Sequence, residues 1–245
     1  MRKIESTQNN EVKHLVKLQK KSYRADHQEF IAQGLSVCTT LLQHYTPIAF
    51  YTTESSLQDA QNHFNSKTIS LVSEQIMKKI STLTTPNGIV GIFKIPQIAW
   101  QADSNAIVLY NIQDPGNLGT LIRTAAAMNI KNVFLIQGVD PYNPKVIQST
   151  AGTIGYLNLI PLSWQQFSDQ HQSYNTCALV VENGQTPEDS NLTKSILVIG
   201  NEGQGLPQSA INSCSHKTTI PMPGKTESLN AAVAGSIAMY IKTQK

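Results

Sequence analysis

Two spacings of apolar residues alternate along the chain. Short runs rich in β-branched residues, such as Ile89-Val90 and Ile196-Leu197-Val198-Ile199, are followed by stretches in which apolar side chains return every three or four positions. That alternation predicts an α/β fold. In the first part it places helices over 10–21, 35–44, 56–64 and 73–80, and strands over 29–32, 48–52, 68–71 and 89–95. Residues 96–105, with Pro96, Asp103, Ser104 and Asn105, lack periodicity and read as a linker. Beyond it the pattern predicts strands over 106–110, 132–136, 157–160, 178–182, 196–199 and 217–220. Helices are expected over 118–128, 164–171, 206–212 and 229–241. The expected organisation is therefore a small domain over residues 1–95 and a second over 106–245. The strand and helix alternation of the second implies a largely parallel sheet with its ligand site at the strand carboxyl ends.

Charge sharpens this division. The net charge is +3, but residues 1–95 hold 11 Lys/Arg against 7 Asp/Glu, whereas residues 96–245 hold 8 against 9. Within the first helix, Val12, Leu15, Val16 and Gln19 fall on one part of the wheel. Lys13, Lys17, Lys20, Lys21 and Arg24 recur at helical spacing on another. Such a stripe is either a solvated face or a row of phosphate contacts, and the latter would make binding salt-dependent. The first fifteen residues carry no apolar signal-peptide core, and no run is long enough to span a membrane, so a cytoplasmic protein is expected. Cys38, Cys177 and Cys214 are odd in number and lack a C-x-x-C pair, which suggests neither a disulfide framework nor a metal site.

Three loops after strands carry candidate chemistry. In the first, Tyr110 to Arg123, Pro115-Gly116 makes a turn and Asn117 is placed to cap the following helix. Arg123 lies one and a half turns further on, beside the small residues Gly119, Thr120 and Ala127. The second runs Gly200-Asn201-Glu202-Gly203-Gln204-Gly205-Leu206-Pro207, its glycines allowing close backbone approach. Its order, G-x-x-G-x-G with Lys225 in place of a later carboxylate, disfavours a dinucleotide-binding turn. The third runs from Ile220 to Ala234. Thr219 stands where a phosphate-binding loop ending in Gly224-Lys225-Thr226 would need glycine, so an NTPase is rejected. Ser228 is expected to cap the terminal helix. There Leu229, Val233, Ile237 and Tyr240 form an apolar stripe, and Ala231, Ala234, Gly235 and Ala238 offer a surface for close packing. Each loop alone also fits ordinary capped helices and a solvated loop acid.

Taken in order, Asn117-x-Gly119 with Arg123, then Gly200-Asn201-Glu202-Gly203-x-Gly205-Leu206, then Ile220-Pro221-Met222 with Ser228-Leu229-Asn230, the chain resembles the SpoU (TrmH-like) branch of the SPOUT methyltransferases. The resemblance extends more loosely over Asn9 to Arg24 and Glu29 to Gly34, which look like the substrate-binding domain that often precedes the catalytic one. Gln33 and Gln148 depart from the family pattern, where Glu and Arg are common, and bear on RNA contact.

The resemblance implies a trefoil-knotted α/β catalytic domain, a homodimer with composite sites, S-adenosylmethionine as cofactor, and transfer to a ribose 2′-hydroxyl of structured RNA. Ribosomal RNA is favoured over tRNA. It implies a catalytic set of Asn117, Arg123, Glu202, Ser228 and Asn230, and a cofactor pocket of Gly200, Gly203, Gly205, Leu206, Ile220, Met222 and Leu229. Lys13, Lys17, Lys20, Lys21 and Arg24 would contact RNA. No metal is required, because the sulfonium methyl is already electrophilic. A guanidinium is a poor base, so Arg123 is read as a phosphate or alkoxide stabiliser. A tRNA 2′-O-methyltransferase, a base-methylating knotted enzyme, a nicotinamide-dependent oxidoreductase and an RNA-binding protein without catalysis are the alternatives.

Overall fold

The computed structural model describes residues 2–98, 105–225 and 227–244. Most of the expected linker, residues 99–104, and Thr226 lie outside the described residues. In chain order the first elements are β1 (Arg2–Ile4), α1 (Asn10–Lys17), α2 (Lys21–His27), β2 (Glu29–Gln33), α3 (Leu35–Leu41), β3 (Pro47–Thr52), α4 (Leu57–His63), β4 (Ile69–Val72), α5 (Glu74–Ile80) and β5 (Ile89–Lys94). Then come β6 (Ala106–Tyr110), α6 (Pro115–Ala127), β7 (Asn132–Ile136), α7 (Pro144–Ser149), β8 (Asn158–Pro161), α8 (Trp164–Gln170), β9 (Thr176–Leu179), β10 (Ile196–Ile199), α9 (Gln208–Ser213), β11 (His216–Thr218) and α10 (Ala231–Thr243). They form two compact units, one of Met1–Gln97 with Asp140–Gly155, the other of Ile98–Val139 with Tyr156–Lys245.

The first unit is built on a mixed sheet of order β1-β4-β3-β5-β2, with β5 antiparallel to both neighbours. Val12 and Leu15 of α1 and Ile76, Met77 and Ile80 of α5 bury against Ile31, Val90 and Ile92 of the sheet. Each such side chain contributes about 1.5–3 kcal/mol by leaving water. Asn9 caps α1 by accepting from the Glu11 N–H, and Ser73 caps α5 by accepting from Ile76.

Three expectations for this unit are corrected. The helix over 10–21 is two helices, because Lys20 is extended (φ −93°, ψ 133°) and starts α2 afresh. Arg24 leaves the cationic stripe: it is 2% exposed. Its Nε donates to Asp140 Oδ2 at 2.9 Å and its Nη1 to the Leu18 carbonyl at 2.8 Å. Lys13, Lys17, Lys20 and Lys21 remain exposed. Gln33 also turns inward: its Nε2 donates to Thr82 Oγ1 and its Oε1 accepts from Ser81 Oγ and the Thr82 N–H, so its amide braces the 81–82 turn.

The second unit is a six-stranded sheet, all parallel, of order β11-β9-β10-β6-β7-β8. The chain runs outward from β6 to β8 on one side and returns to build the other from β9, β10 and β11. The reversal falls between β6 and β10, where a parallel sheet opens a crevice at its carboxyl edge. Helix α10 packs on α6. A Cβ at Gly235 would lie 2.5 Å from Leu121 Cδ2, so glycine is what permits this approach, and the Ser236 and Thr124 hydroxyls bond across it at 3.0 Å.

Two caps differ from expectation. Asp114, not Asn117, caps α6, accepting from the Asn117 N–H. Asn230, not Ser228, caps α10, accepting from the Ala232 and Val233 N–H groups. Each helix therefore starts two or three residues from the expected point, and the correction releases the Asn117 side chain for other bonds.

Candidate active site

The crevice is framed by the loops after β6, β10 and β11. The second of these is a tight turn closed by a pair of backbone bonds, Asn201 N–H to the Gly205 carbonyl (3.1 Å) and Gly205 N–H to the Asn201 carbonyl (3.0 Å). Two of its glycines have different physical roles. A Cβ on Gly200 would strike the Gly205 and Leu206 backbone at 2.5–2.6 Å, so Gly200 lets the turn close on itself. Gly203 is different: a Cβ there would meet only Asn201 Oδ1, at 3.7 Å, leaving the space above it open.

This turn, the end of β9 and the segment after β11 enclose a cleft of about 260 Å³. Gly200, Gly203, Gly205, Ile220, Met222 and Leu229 all line it. Leu206 does not. It is 7% exposed and packs into the core with Val198 and Ala178. Leu179, Val180, Ala231 and Ala234 also line it; the two alanines were expected only as a helix-packing surface, and Leu179 and Val180 were not singled out from sequence. Apolar walls beside open backbone fit an adenosyl group, which presents a flat ring edged with hydrogen-bonding nitrogens. The donor set of the cleft is therefore compatible with S-adenosylmethionine.

At one side of the cleft the structure joins three predicted residues into a chain. Glu202 Oε1 accepts from Asn117 Nδ2 at 3.0 Å, and Asn117 Oδ1 accepts from Asn230 Nδ2 at 3.1 Å. The Glu202 carboxylate also accepts the backbone N–H groups of Gln113 (3.3 Å) and Asp114 (3.1 Å). Burial alone would raise the pKa of Glu202. The Asn117 side chain and the backbone N–H groups of residues 202, 114 and 113 outweigh it and hold the group below the usual carboxylate range. At neutral pH Glu202 is thus an acceptor of lowered basicity, suited to fixing Asn117 rather than to taking a proton.

Asn201, also not singled out, ties the loops together. Its Oδ1 accepts from the Gly203 and Gln204 N–H groups (2.9 and 3.0 Å), while its Nδ2 donates to the Asn111 carbonyl (2.9 Å) and to Glu202 Oε2 (3.3 Å). Asn111 itself holds a left-handed backbone, φ +55°, so the loop after β6 is bent at the point Asn201 grips. Ser228 is exposed and lines the cleft. Arg123 stands apart: it is exposed on α6, does not line the cleft, and has no hydrogen-bond or ion-pair partner among the described residues.

Residues 104–240 match the model of the SpoU rRNA Methylase family, and residues 9–91 match the MRM3-like substrate binding domain. The chain belongs to the SpoU rRNA methylase family. Among its relatives, an uncharacterised tRNA/rRNA methyltransferase of Synechocystis is 29% identical over 97% of this chain and 92% of its own length. The 23S rRNA (guanosine(2553)-2′-O)-methyltransferase of Bacillus subtilis is 25% identical over 98% of both chains. Of the solved structures, a putative TrmH-family RNA methyltransferase of Porphyromonas gingivalis superposes with a TM-score of 0.83 at 28% identity, covering 95% of this chain and 96% of that one. An AdoMet-bound rRNA methyltransferase of Sinorhizobium meliloti shares the fold at a TM-score of 0.86 and 24% identity, over 98% of this chain and 97% of that one.

Proposed function

We propose that this chain transfers the methyl group of S-adenosylmethionine to a ribose 2′-hydroxyl of ribosomal RNA. The observation that carries the reading is the Glu202–Asn117–Asn230 chain beside the glycine-lined cleft. The Bacillus relative, aligned over 98% of both chains and named as a 23S rRNA 2′-O-methyltransferase, supports ribosomal RNA over tRNA. So does the first unit, as a match to the MRM3-like substrate binding domain.

When bound, S-adenosylmethionine supplies a methyl carbon that the 2′-oxygen attacks as the carbon–sulfur bond breaks, its electron pair remaining on a neutral thioether. The protein's work is alignment and proton handling. An Asn amide offers two N–H donors, and the bonds described use one on Asn117 and one on Asn230. The second N–H of each is available to an RNA oxygen. Glu202 holds the Asn117 amide in one orientation, and the α10 cap holds Asn230. Ser228 borders the same space. The Arg123 guanidinium, without a partner among the described residues, binds the ribose-phosphate and stabilises the 2′-oxygen as its proton leaves to solvent. As drawn, the reaction uses no metal.

A homodimer accommodates the position of Arg123. Leu229, just before α10, and Val233, Ile237 and Tyr240 along it are 36–55% exposed, a stripe that supports pairing with a second copy. Arg123 of one protomer then serves the cleft of its partner. The segment from β10 to α10 is threaded as the trefoil knot the family implies. No helix among the described residues is long and apolar enough to cross a membrane. The enzyme acts in the cytoplasm, with Lys13, Lys17, Lys20 and Lys21 as its contacts to RNA phosphates. Mapping alkali-resistant ribose positions in rRNA from cells with and without the gene tests the reading. One position losing protection in the deletion strain is the expected result; identical maps in rRNA would overturn it.

A further inference from the structure

Core packing accounts for only part of one aromatic cluster on the first unit. Tyr23 and His27, successive turns of α2, bring their rings to 4.0 Å between centroids at 36°. Tyr23 is half-buried and packs against the core cluster that holds Val12, Leu15 and Leu18, whereas His27 is exposed. The pair is held from below. His14 meets both rings edge-on, at 5.5 and 5.2 Å. Its Nε2 lies 2.7 Å from Glu29 Oε2 and its Nδ1 lies 3.0 Å from the Tyr23 hydroxyl. A carboxylate only accepts, so Nε2 is the donor to Glu29, while Nδ1 and the Tyr23 hydroxyl share the other bond. The Lys17 ammonium sits 5.6 Å from the Tyr23 ring centre. Lys13 is one turn before it and Lys20 and Lys21 begin α2, all exposed.

We propose that Tyr23 and His27 form a stacking platform for an unpaired base of the RNA substrate, with Lys17 and the neighbouring lysines on the flanking phosphates. The proposal rests on the first unit being the RNA-binding part of the enzyme. Cations alone would attract any RNA, duplex or not. A braced aromatic pair among them adds a surface that only an unstacked base can use, and every base has a face to offer it. The substrate class is therefore RNA with a single-stranded loop or bulge, entering the first unit at that point. The His14–Glu29 contact fixes the platform before RNA arrives, which lowers the ordering cost of binding.

The test uses the full chain and two fluorescent RNA probes: a hairpin with an unpaired loop carrying 2-aminopurine, and the same stem closed as a duplex. The wild type binds the hairpin more tightly and quenches the 2-aminopurine. His27→Ala weakens hairpin binding by about tenfold, leaves duplex binding and the salt slope unchanged, and abolishes the quenching, while His27→Phe restores all three. Lys17→Gln instead weakens both probes and lowers the salt slope by about one. Equal wild-type affinity for both probes with a neutral His27→Ala overturns the platform and leaves RNA binding by the first unit intact. Failure of the wild type to bind either probe overturns both.

Discussion

Arg24→Ala tests whether an arginine within a lysine-rich segment serves RNA or the fold. The guanidinium is 2% exposed and donates through Nε and Nη2 to Asp140 Oδ2 and through Nη1 to the Leu18 carbonyl. Its truncation leaves the Asp140 carboxylate, 14% exposed at its side chain, without a counter-charge, and leaves the Leu18 carbonyl unpaired. Removing one partner of a buried pair costs about 3–5 kcal/mol. Asp140 keeps its bond from the Tyr142 N–H and some water, so the lower end, about 3 kcal/mol, is expected. Amide hydrogen exchange of β3 and β5, inner strands of this unit's sheet, reads the loss and should accelerate roughly a hundredfold. Replacing both partners by apolar residues, Arg24→Met with Asp140→Leu, should recover most of it. The salt slope of RNA binding should not change, because Arg24 contacts no phosphate. Exchange within threefold of wild type together with a salt slope lowered by about one would refute the reasoning and return Arg24 to the interface.

Three further outcomes follow from the second unit. Glu202→Gln presents an amide NH₂ to N–H donors aimed at a carboxylate, so methyl transfer should fall about 10–100-fold while cofactor affinity changes little. Because the folded pKa of Glu202 is depressed, its contribution to stability is complete above the ordinary value of 4.5 and is lost as pH falls through the folded value. The melting advantage of wild type over Glu202→Gln should therefore shrink only under acid, and shrinkage near pH 7 would contradict the assignment. Asn201→Asp keeps acceptors for the Gly203 and Gln204 N–H groups but loses donation to Asn111 and sets a second carboxylate beside Glu202. Single-turnover rate should fall more than cofactor affinity by calorimetry, and equal losses would remove Asn201 as the tie between loops. Gly203→Val fills the open space over the cleft and should weaken S-adenosylmethionine binding with an unchanged melting temperature; unchanged affinity would take the turn out of the cofactor site.

The strands of the second unit were legible because β6, β7 and β10 are continuous apolar runs buried on both faces, which leaves little choice of structure. The loops were legible through their glycines and polar residues at strand ends. Caps were not, because Asp114, Asn117, Ser228 and Asn230 are all competent capping residues and only backbone dihedrals decide among them. That ambiguity hid the more informative result, that Asn117 and Asn230 bond to each other. Arg24 failed for a different reason: helical spacing places it with the lysines, and the partner that draws it inward, Asp140, is 116 residues away. The strand β1 and the helix α7 are three and six residues long, too short for periodicity to register. Asn201 carried no signal beyond its place in a loop, since its role lies in four bonds to groups up to 90 residues distant.

The central claim is that Arg123 acts on the RNA while the cleft, at a distance along the chain, holds the cofactor. Single-turnover methyl transfer to ribosomal RNA from a deletion strain, at saturating RNA and labelled S-adenosylmethionine, tests it in one measurement when the product is digested in alkali. Wild type should yield label in an alkali-resistant dinucleotide, the mark of a methylated 2′-oxygen. Arg123→Ala should lose that product by orders of magnitude with cofactor affinity nearly intact, and Arg123→Lys should recover only part of it, having charge but no planar fork. Label released as mononucleotides would place the methyl group on a base, and a fully active Arg123→Ala enzyme would remove Arg123 from the reaction.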